Sequence, residues 1–461
     1  MKKTLSLFLA FVIILSTFVF TPLVSEAALY TPDQTIYAHA YMLINLDDSD
    51  YPVVAEQNAD ERLYPASLTK IATAMVVLNK VSDLSQKTVM TQTAYDQSIG
   101  TGAQVAGIEV GEELSIETLL YLTMVHSACD ACEVLAEFVS GSKESFVAEM
   151  NAWAQSLGCK DTNFVNPDGL HDPNHYTTAR DMSLMTLEAL KNETFVKIST
   201  TTSVEFHGYT LPHTNLMLQP GYITYYYEYA QGIKTGSTEE AEYCVITKAS
   251  KNGYNYLAIV MKSPQQEING ESYKTKCSFV DAKTLFEWAF NSLKYTTLVR
   301  KDEVIGEVNV KDGKDADTVQ LVAKDDVNEI VPAGLDMSSI IYDFKDKPEE
   351  VNAPVSKGEQ ICTADILYGN EVVATVDLVA AQTVELSTFL KVINAVKAFF
   401  SSLIVKVILI LLVLFAIIYV LLLVNSFSKK KQKRKKINKR NDSRDVYLDD
   451  NDDLPPPKRY N

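Results

Sequence analysis

An unbroken uncharged run, Val407 to Val424, constrains this chain more than any other feature. At ~1.5 Å of rise per residue, about 20 residues cross a ~30 Å hydrocarbon core. The apolar character carries on weakly to Phe427, and a segment this uniformly aliphatic has no polar face to turn toward water. Residues 407–427 are therefore expected to form a transmembrane helix. Seven basic residues between Lys429 and Lys436 follow directly, which places the C-terminal end in the cytoplasm. At the other end, Lys2 and Lys3 precede an apolar run from Leu5 to Phe20, and Ser25 and Ala27 supply small residues for cleavage. Residues 1–27 read as a secretory signal peptide, a retained anchor being the weaker alternative. The chain is then single-pass in the cell membrane, with its body extracytoplasmic. The basic tail 428–461 is expected to be disordered and cytoplasmic.

Charge agrees with that division. The whole chain has 42 Lys and Arg against 59 Asp and Glu. Leaving out the leader (2 basic, 1 acidic) and the tail from Ser428 (12 and 6), 28 basic residues face 52 acidic ones. A body this acidic repels phosphate backbones, which excludes nucleic acid as a partner. The basic tail beside a span suits orientation and lipid headgroups instead.

Six cysteines are few for so long a secreted body, which can bury a core without staples. Cys129 and Cys132 have the C-x-x-C spacing, but no second pair completes a zinc or redox set, and the context is apolar and helix-like. They read as small buried residues. His171 and His175, with Asp168 nearby, lie in a turn-rich stretch without a helix to present metal ligands, and read as a loop.

The body divides into an α+β part and a β part. Tyr41 to Asn45 is expected to be an early strand. A helix follows Pro65, with Leu68, Ile71, Met75 and Val76 as its buried stripe. Leu114 to Phe138 is expected to be helical with Ser115 as N-cap, and so are Glu144 to Leu157, Thr178 to Leu190 and Phe279 to Leu293. Glu242 to Ala249 and Tyr254 to Met261 read as a hairpin joined at Lys251-Asn252-Gly253. The result is an antiparallel sheet covered by helices, residues 28–293. From 294 to 383, short β-branched runs (Val304 to Val310, Thr318 to Val322, Ile340 to Phe344, Cys362 to Leu367, Glu371 to Leu378) predict a small β-sandwich-like domain, read as a spacer. In 384–406, Phe389, Val392, Val396, Phe399, Phe400 and Leu403 recur at helical spacing. This predicts an amphipathic membrane-proximal helix, or else an extension of the span.

Three short motifs carry the chemistry: Ser67-Leu68-Thr69-Lys70, Ser127-Ala128-Cys129 and Lys234-Thr235-Gly236. Ser-x-x-Lys alone is weak, but three such motifs in this order are a strong indication of acyl transfer. Ser67 and Lys70 at i and i+3 share a helix face. The helix N-terminus eases formation of a Ser67 alkoxide and disfavours a charged Lys70, which can then act as general base. Lys234 adds positive potential that lowers the Lys70 pKa further and attracts a substrate carboxylate. Thr235 can hydrogen-bond that carboxylate, Gly236 lets the backbone approach a bound peptide, and Ser127 can pass a proton to a leaving amine.

These residues resemble the serine D-Ala-D-Ala carboxypeptidases, the low-molecular-mass penicillin-binding proteins. Asn58-Ala-Asp-Glu-Arg-Leu-Tyr-Pro-Ala-Ser-Leu-Thr-Lys70, Asn163-Phe-Val-Asn-Pro-Asp-Gly-Leu170 and Tyr176-Thr-Thr-Ala-Arg-Asp181 extend the likeness, which covers about residues 30 to 380. The resemblance implies a penicillin-binding, β-lactamase-like fold. Ser67 would attack the D-Ala-D-Ala amide of peptidoglycan stem peptides, release the terminal D-Ala and leave an acyl-enzyme for water. It also implies an oxyanion hole from the backbone N–H groups of Ser67 and Ser237, acylation by β-lactams, and no metal or organic cofactor.

Two features depart from the pattern. Cys129 stands where the family has an Asn that holds the substrate amide and orients the base, and a thiol substitutes poorly. This raises the alternative of a weak or inactive peptidoglycan-binding or β-lactam-sensing protein. A full span with a basic tail exceeds the usual amphipathic anchor. A β-lactamase would need a carboxylate base for deacylation, and no convincing motif for one is present. Endopeptidase or transpeptidase action is chemically adjacent.

Overall fold

The computed structural model describes residues 30–442 apart from 48–50, 269, 271–272 and 370. The expected signal peptide and the last part of the tail lie outside the described residues. Two compact units divide the chain: the described residues through 305 with 322–347 and 362–378, and 306–321 with 348–361 and those from 379 onward.

The larger unit is organised by a five-stranded antiparallel sheet. Its strands are β1 (Ala40–Asn45), β2 (Val53–Gln57), β3 (Ala230–Thr238), β4 (Glu242–Lys251) and β5 (Tyr254–Ser263). They lie in the order β2-β1-β5-β4-β3, so β3 is an edge. Both sheet faces are buried, because side chains alternate across a strand and both alternate sets are apolar. Tyr41, Leu43, Val245, Ala258 and Val260 pack on one side with Phe279, Ala282, Leu285, Phe286 and Ala289. Met42, Ile44, Ile246, Leu257, Ile259 and Met261 belong to the core on the other side, shared with the helical middle of the chain.

The helices of that middle include α1 (Lys70–Lys80), α2 (Ile116–Tyr121), α3 (Cys129–Ser140), α4 (Lys143–Ser156) and α5 (Ala179–Leu190); α6 (Cys277–Ser292) covers the opposite face. Ser115 caps α2 by accepting the Thr118 N–H, as its position suggested. The helix expected from Leu114 to Phe138 is not continuous. A π-turn, Leu122–His126, ends at Ser127, whose φ of 64° is left-handed, and α3 starts afresh two residues later. The hairpin between β4 and β5 turns on Asn252 and Gly253, both at positive φ, with Lys251 opposite Tyr254. Two residues at positive φ match the twist of the flanking strands, which is why Asn-Gly marks such turns.

Beyond Leu293 the larger unit adds more strands. β6 (Leu293–Val299) pairs antiparallel with β9 (Val327–Pro332), and neither was expected. β10 (Ile340–Lys345) pairs with β12 (Gln360–Tyr368), which turns into β13 (Glu371–Ala380). In the smaller unit, β7 (Val304–Lys311) pairs in parallel with the short β11 (Glu350–Asn352). β8 (Thr318–Ala323) is a further strand of this part of the chain.

Two helices close the described chain. α7 (Thr388–Ser401) is capped by Ser387 and is shorter than the expected 384–406. Ser402, with ψ of 133°, interrupts it before α8 (Leu403–Asp442) begins. Leu403–Lys435 is long and apolar enough to cross a bilayer, with a mean hydropathy of 3.6 over an 18-residue stretch of it, none of which is buried. The tail expected to be disordered from Ser428 is helical as far as Asp442. Its Lys, Arg and Gln residues are good helix formers and simply prolong the preceding helix.

Candidate active site

Ser67 lies on a single 3-10 turn, Ala66–Thr69, that leads into α1. Residues three apart eclipse in such a turn, so Lys70 stands directly over Ser67. Lys70 Nζ donates to Ser67 Oγ at 2.9 Å, to the Asp168 carbonyl at 2.6 Å and to Cys129 Sγ at 3.3 Å. Lys70 is fully buried, while Ser67 keeps partial access to solvent.

The turn is held by close backbone packing. Ala66 adopts φ of +47°, which an L residue rarely does without outside restraint. Gly236 of β3 lies flush against it: a Cβ there would meet Pro65 O at 2.7 Å and Ser67 N at 3.1 Å. Gly169 presses from the other side, where a Cβ would meet Ala66 O at 1.9 Å. The close approach seen at Gly236 is to the serine's own turn.

Gly236 brings the rest of its motif along. Lys234 is fully buried and donates to the Thr235 carbonyl at 3.1 Å. Thr235 donates its hydroxyl to Thr214 Oγ1 at 2.7 Å, and Ser237 is exposed beside it. The second motif reaches the site through Cys129, whose thiol contacts Lys70 and lies 4.0 Å from the Ser127 carbonyl. Ser127 is nearly buried, at the left-handed break before α3.

The charges differ from the sequence expectation. Lys70 was expected to be pushed down. Burial does oppose its charge, but Cys129, Cys132 and Asp168 outweigh it and hold Lys70 up at about 12. Burial in turn pushes the Cys129 thiol up to about 11 against the pull of Lys70. Lys234 is the amine held well below its ordinary value, by burial first and by the Lys70 charge second. Of the two, Lys70 holds its proton the more tightly, because two buried ammonium groups close together disfavour one another.

Sequence reasoning missed Gly169, Thr214 and the Asp168 carbonyl, although the first and last lie in the Asn163–Leu170 stretch. The chain on either side of that stretch is anchored. Arg180 forks onto Asp60 and Glu56, and Asp181 accepts the Lys160 and Asp161 N–H groups and the Thr162 hydroxyl. His171 faces Glu240 at 3.6 Å, whereas His175 is buried against Thr69, so the two do not converge. Among the described residues, no group of three or more His, Cys, Asp or Glu is arranged to hold a metal, and all six cysteines are free.

A family profile described as D-alanyl-D-alanine carboxypeptidase matches residues 26–265, and one described as the C-terminal domain of penicillin-binding protein 5 matches 293–386. The D-alanyl-D-alanine carboxypeptidase DacF of Bacillus subtilis is 28% identical over 394 residues, 85% of this chain and 96% of that one. DacA of Haemophilus influenzae is 30% identical over 340 residues, 72% of this chain and 81% of its own. The crystal structure of penicillin binding protein 5 from Haemophilus influenzae superposes with a TM-score of 0.58 at 27% identity, covering 77% of this chain and 99% of that one.

Proposed function

The chain belongs to the D-alanyl-D-alanine carboxypeptidase family, and from that premise we infer that it removes the terminal D-alanine from peptidoglycan stem peptides through an acyl-enzyme on Ser67. The observation that carries the residue assignment is the 2.9 Å contact between Lys70 Nζ and Ser67 Oγ, on a turn packed against the backbone of Gly236.

The substrate's terminal carboxylate enters beside Lys234, with the Thr235 hydroxyl turning from Thr214 to donate to it. A carboxylate there favours a proton on Lys234, and a charged Lys234 disfavours one on Lys70. Substrate binding thereby converts Lys70 into the free amine that a general base must be. Lys70 takes the Ser67 hydroxyl proton as Oγ attacks the penultimate D-Ala carbonyl. The backbone N–H groups of Ser67 and Ser237 receive the developing oxyanion. Ser127 delivers a proton to the departing D-Ala nitrogen and recovers one from Lys70. Water then attacks the ester with Lys70 again as base, and the proton returns to Ser67 Oγ. A β-lactam enters as a mimic of the same dipeptide and acylates the same oxygen.

Cys129 favours an active enzyme over a silent sensor. Its sulfur accepts a hydrogen bond from Lys70, so it still orients the base. What a thiol supplies poorly is a donor to the substrate amide carbonyl. The apolar α8 anchors the protein in a membrane. Its basic continuation, Lys429 to Lys436, is the cytoplasmic flank, which leaves the catalytic body outside the cell.

The test is D-alanine release from a peptide ending in D-Ala-D-Ala, with Ser67→Ala as control. Release that disappears in the variant is expected; a folded wild-type protein that releases none overturns the assignment.

A further inference from the structure

His175 belongs to none of the three motifs, yet it begins a chain of hydrogen bonds that ends on the nucleophile's own peptide. Its Nε2 is 2.8 Å from Thr69 Oγ1, and that hydroxyl is 2.8 Å from the Ala66 carbonyl oxygen. A hydroxyl has one hydrogen, and a carbonyl can only accept. Thr69 therefore donates to Ala66 and accepts from His175, so the imidazole hydrogen sits on Nε2. Nδ1 is left as an acceptor, which is what the Val165 N–H, 3.2 Å away, requires. The hydrogen-bond network assigns a neutral ring and its tautomer from both sides.

The next link is covalent. The Ala66 carbonyl and the Ser67 N–H belong to one planar trans peptide and point in opposite directions. Holding the carbonyl sets where the N–H points, and Gly169 closes against that same carbonyl. Because Ala66 is held at a positive φ, the peptide would relax if these restraints were released.

We propose that His175, acting through Thr69, is a positioning residue that aims the Ser67 N–H into the oxyanion hole. This rests on the reading of Ser67 as the nucleophile. The ring's surroundings keep it neutral: burial pushes His175 down to about 4, Lys70 and His171 push the same way, and Asp168 and Asp172 oppose them. A second ring proton would face the Val165 N–H donor and break the network.

The test uses the full-length chain in detergent, with acylation by a fluorescent penicillin and D-alanine release as readouts. Acylation of the wild type and its loss in Ser67→Ala establish the underlying reading; a wild type that is not acylated removes that reading and the proposal with it. His175→Leu lacks the donor and is expected to acylate about 10- to 100-fold more slowly, with the initial penicillin Kd unchanged. Removing a whole oxyanion donor costs on the order of 10²- to 10³-fold, and misaiming one costs part of that. His175→Gln keeps an N–H near the Nε2 position and should restore most of the rate. Thr69→Val cuts the same chain and should slow acylation alike; it also serves if His175→Leu does not fold. The double variant should be no slower than either single one, since the two act in series. Wild-type acylation in His175→Leu or Thr69→Val, no restoration by Gln, or multiplying effects in the double variant would each overturn the proposal.

Discussion

Gly169→Ala should disable acylation, and Gly158→Ala should not, although both glycines have φ of +86°. An alanine in that left-handed region loses roughly 1–2 kcal/mol at either position. Around Gly158 there is nothing within 4 Å of an added Cβ, so the conformational term stands alone. At Gly169 the added Cβ would lie 1.9 Å from Ala66 O, 2.4 Å from Ala66 C and 3.0 Å from Ser67 N. Contacts under 3.0 Å are essentially never seen for real Cβ atoms, so backbone must move by about 1 Å. The atoms in the way are the peptide that carries the serine, and a shift of about 1 Å at a reacting group can slow a reaction about 10²-fold. Gly158→Ala therefore measures the φ penalty, and the difference between the variants isolates the clash. Thermal unfolding gives the stability of each, and the rate of labelling by a fluorescent penicillin gives the chemistry. Acylation of Gly169→Ala within about threefold of Gly158→Ala would refute the idea that this glycine sets the nucleophile's position.

Further outcomes follow from the same geometry. Lys70→Arg keeps a cation that cannot surrender its proton, and should lower acylation by about 10²- to 10⁴-fold, as loss of a general base does; retention of the wild-type rate would remove Lys70 from that role. All six cysteines are buried and free, so a thiol reagent at pH 8 should find none in the native protein and six after unfolding. Burial pushes the Glu133 carboxyl up from 4.5 to about 7 against the pull of Lys143. The folded state thus holds that proton more tightly than the unfolded chain. The resulting stability is full below pH 4.5 and is lost as pH rises through 7. Glu133→Gln should gain stability relative to wild type between pH 5 and pH 8, by up to about 3 kcal/mol, read from denaturant unfolding. A difference that does not change with pH would contradict the buried-carboxyl argument.

Whatever depends on neighbours along the chain was legible in the sequence. Asn252-Gly253 announces a two-residue hairpin because both positions need positive φ. Ser115 announces a helix start because its hydroxyl reaches an N–H three residues on. Val407 to Val424 announces a span because a helix without polar residues has no place in water. The Ser67 and Lys70 pairing follows from spacing alone, and a 3-10 turn satisfies it as well as an α-helix. β6 and β9 escaped because their pairing joins residues 28 to 39 positions apart in the chain.

Tertiary structure decided the rest, because it concerns groups that meet only when distant segments pack. The break at Ser127 follows from the left-handed φ at the end of the π-turn, against a helical pattern that looks continuous in sequence. Two glycines, one 102 residues and one 169 residues beyond Ser67, close on the same peptide, and no local rule distinguishes them from glycines in open turns. The hold of Lys70 on its proton depends on Asp168, on two buried thiols and on the second lysine, whose own charge burial and repulsion disfavour. The sequence by itself determined which groups the chain brings to acyl transfer and on which side of a membrane they are expected. Their aim and protonation were settled by packing, since both are sums over contacts between segments that spacing along the chain does not encode.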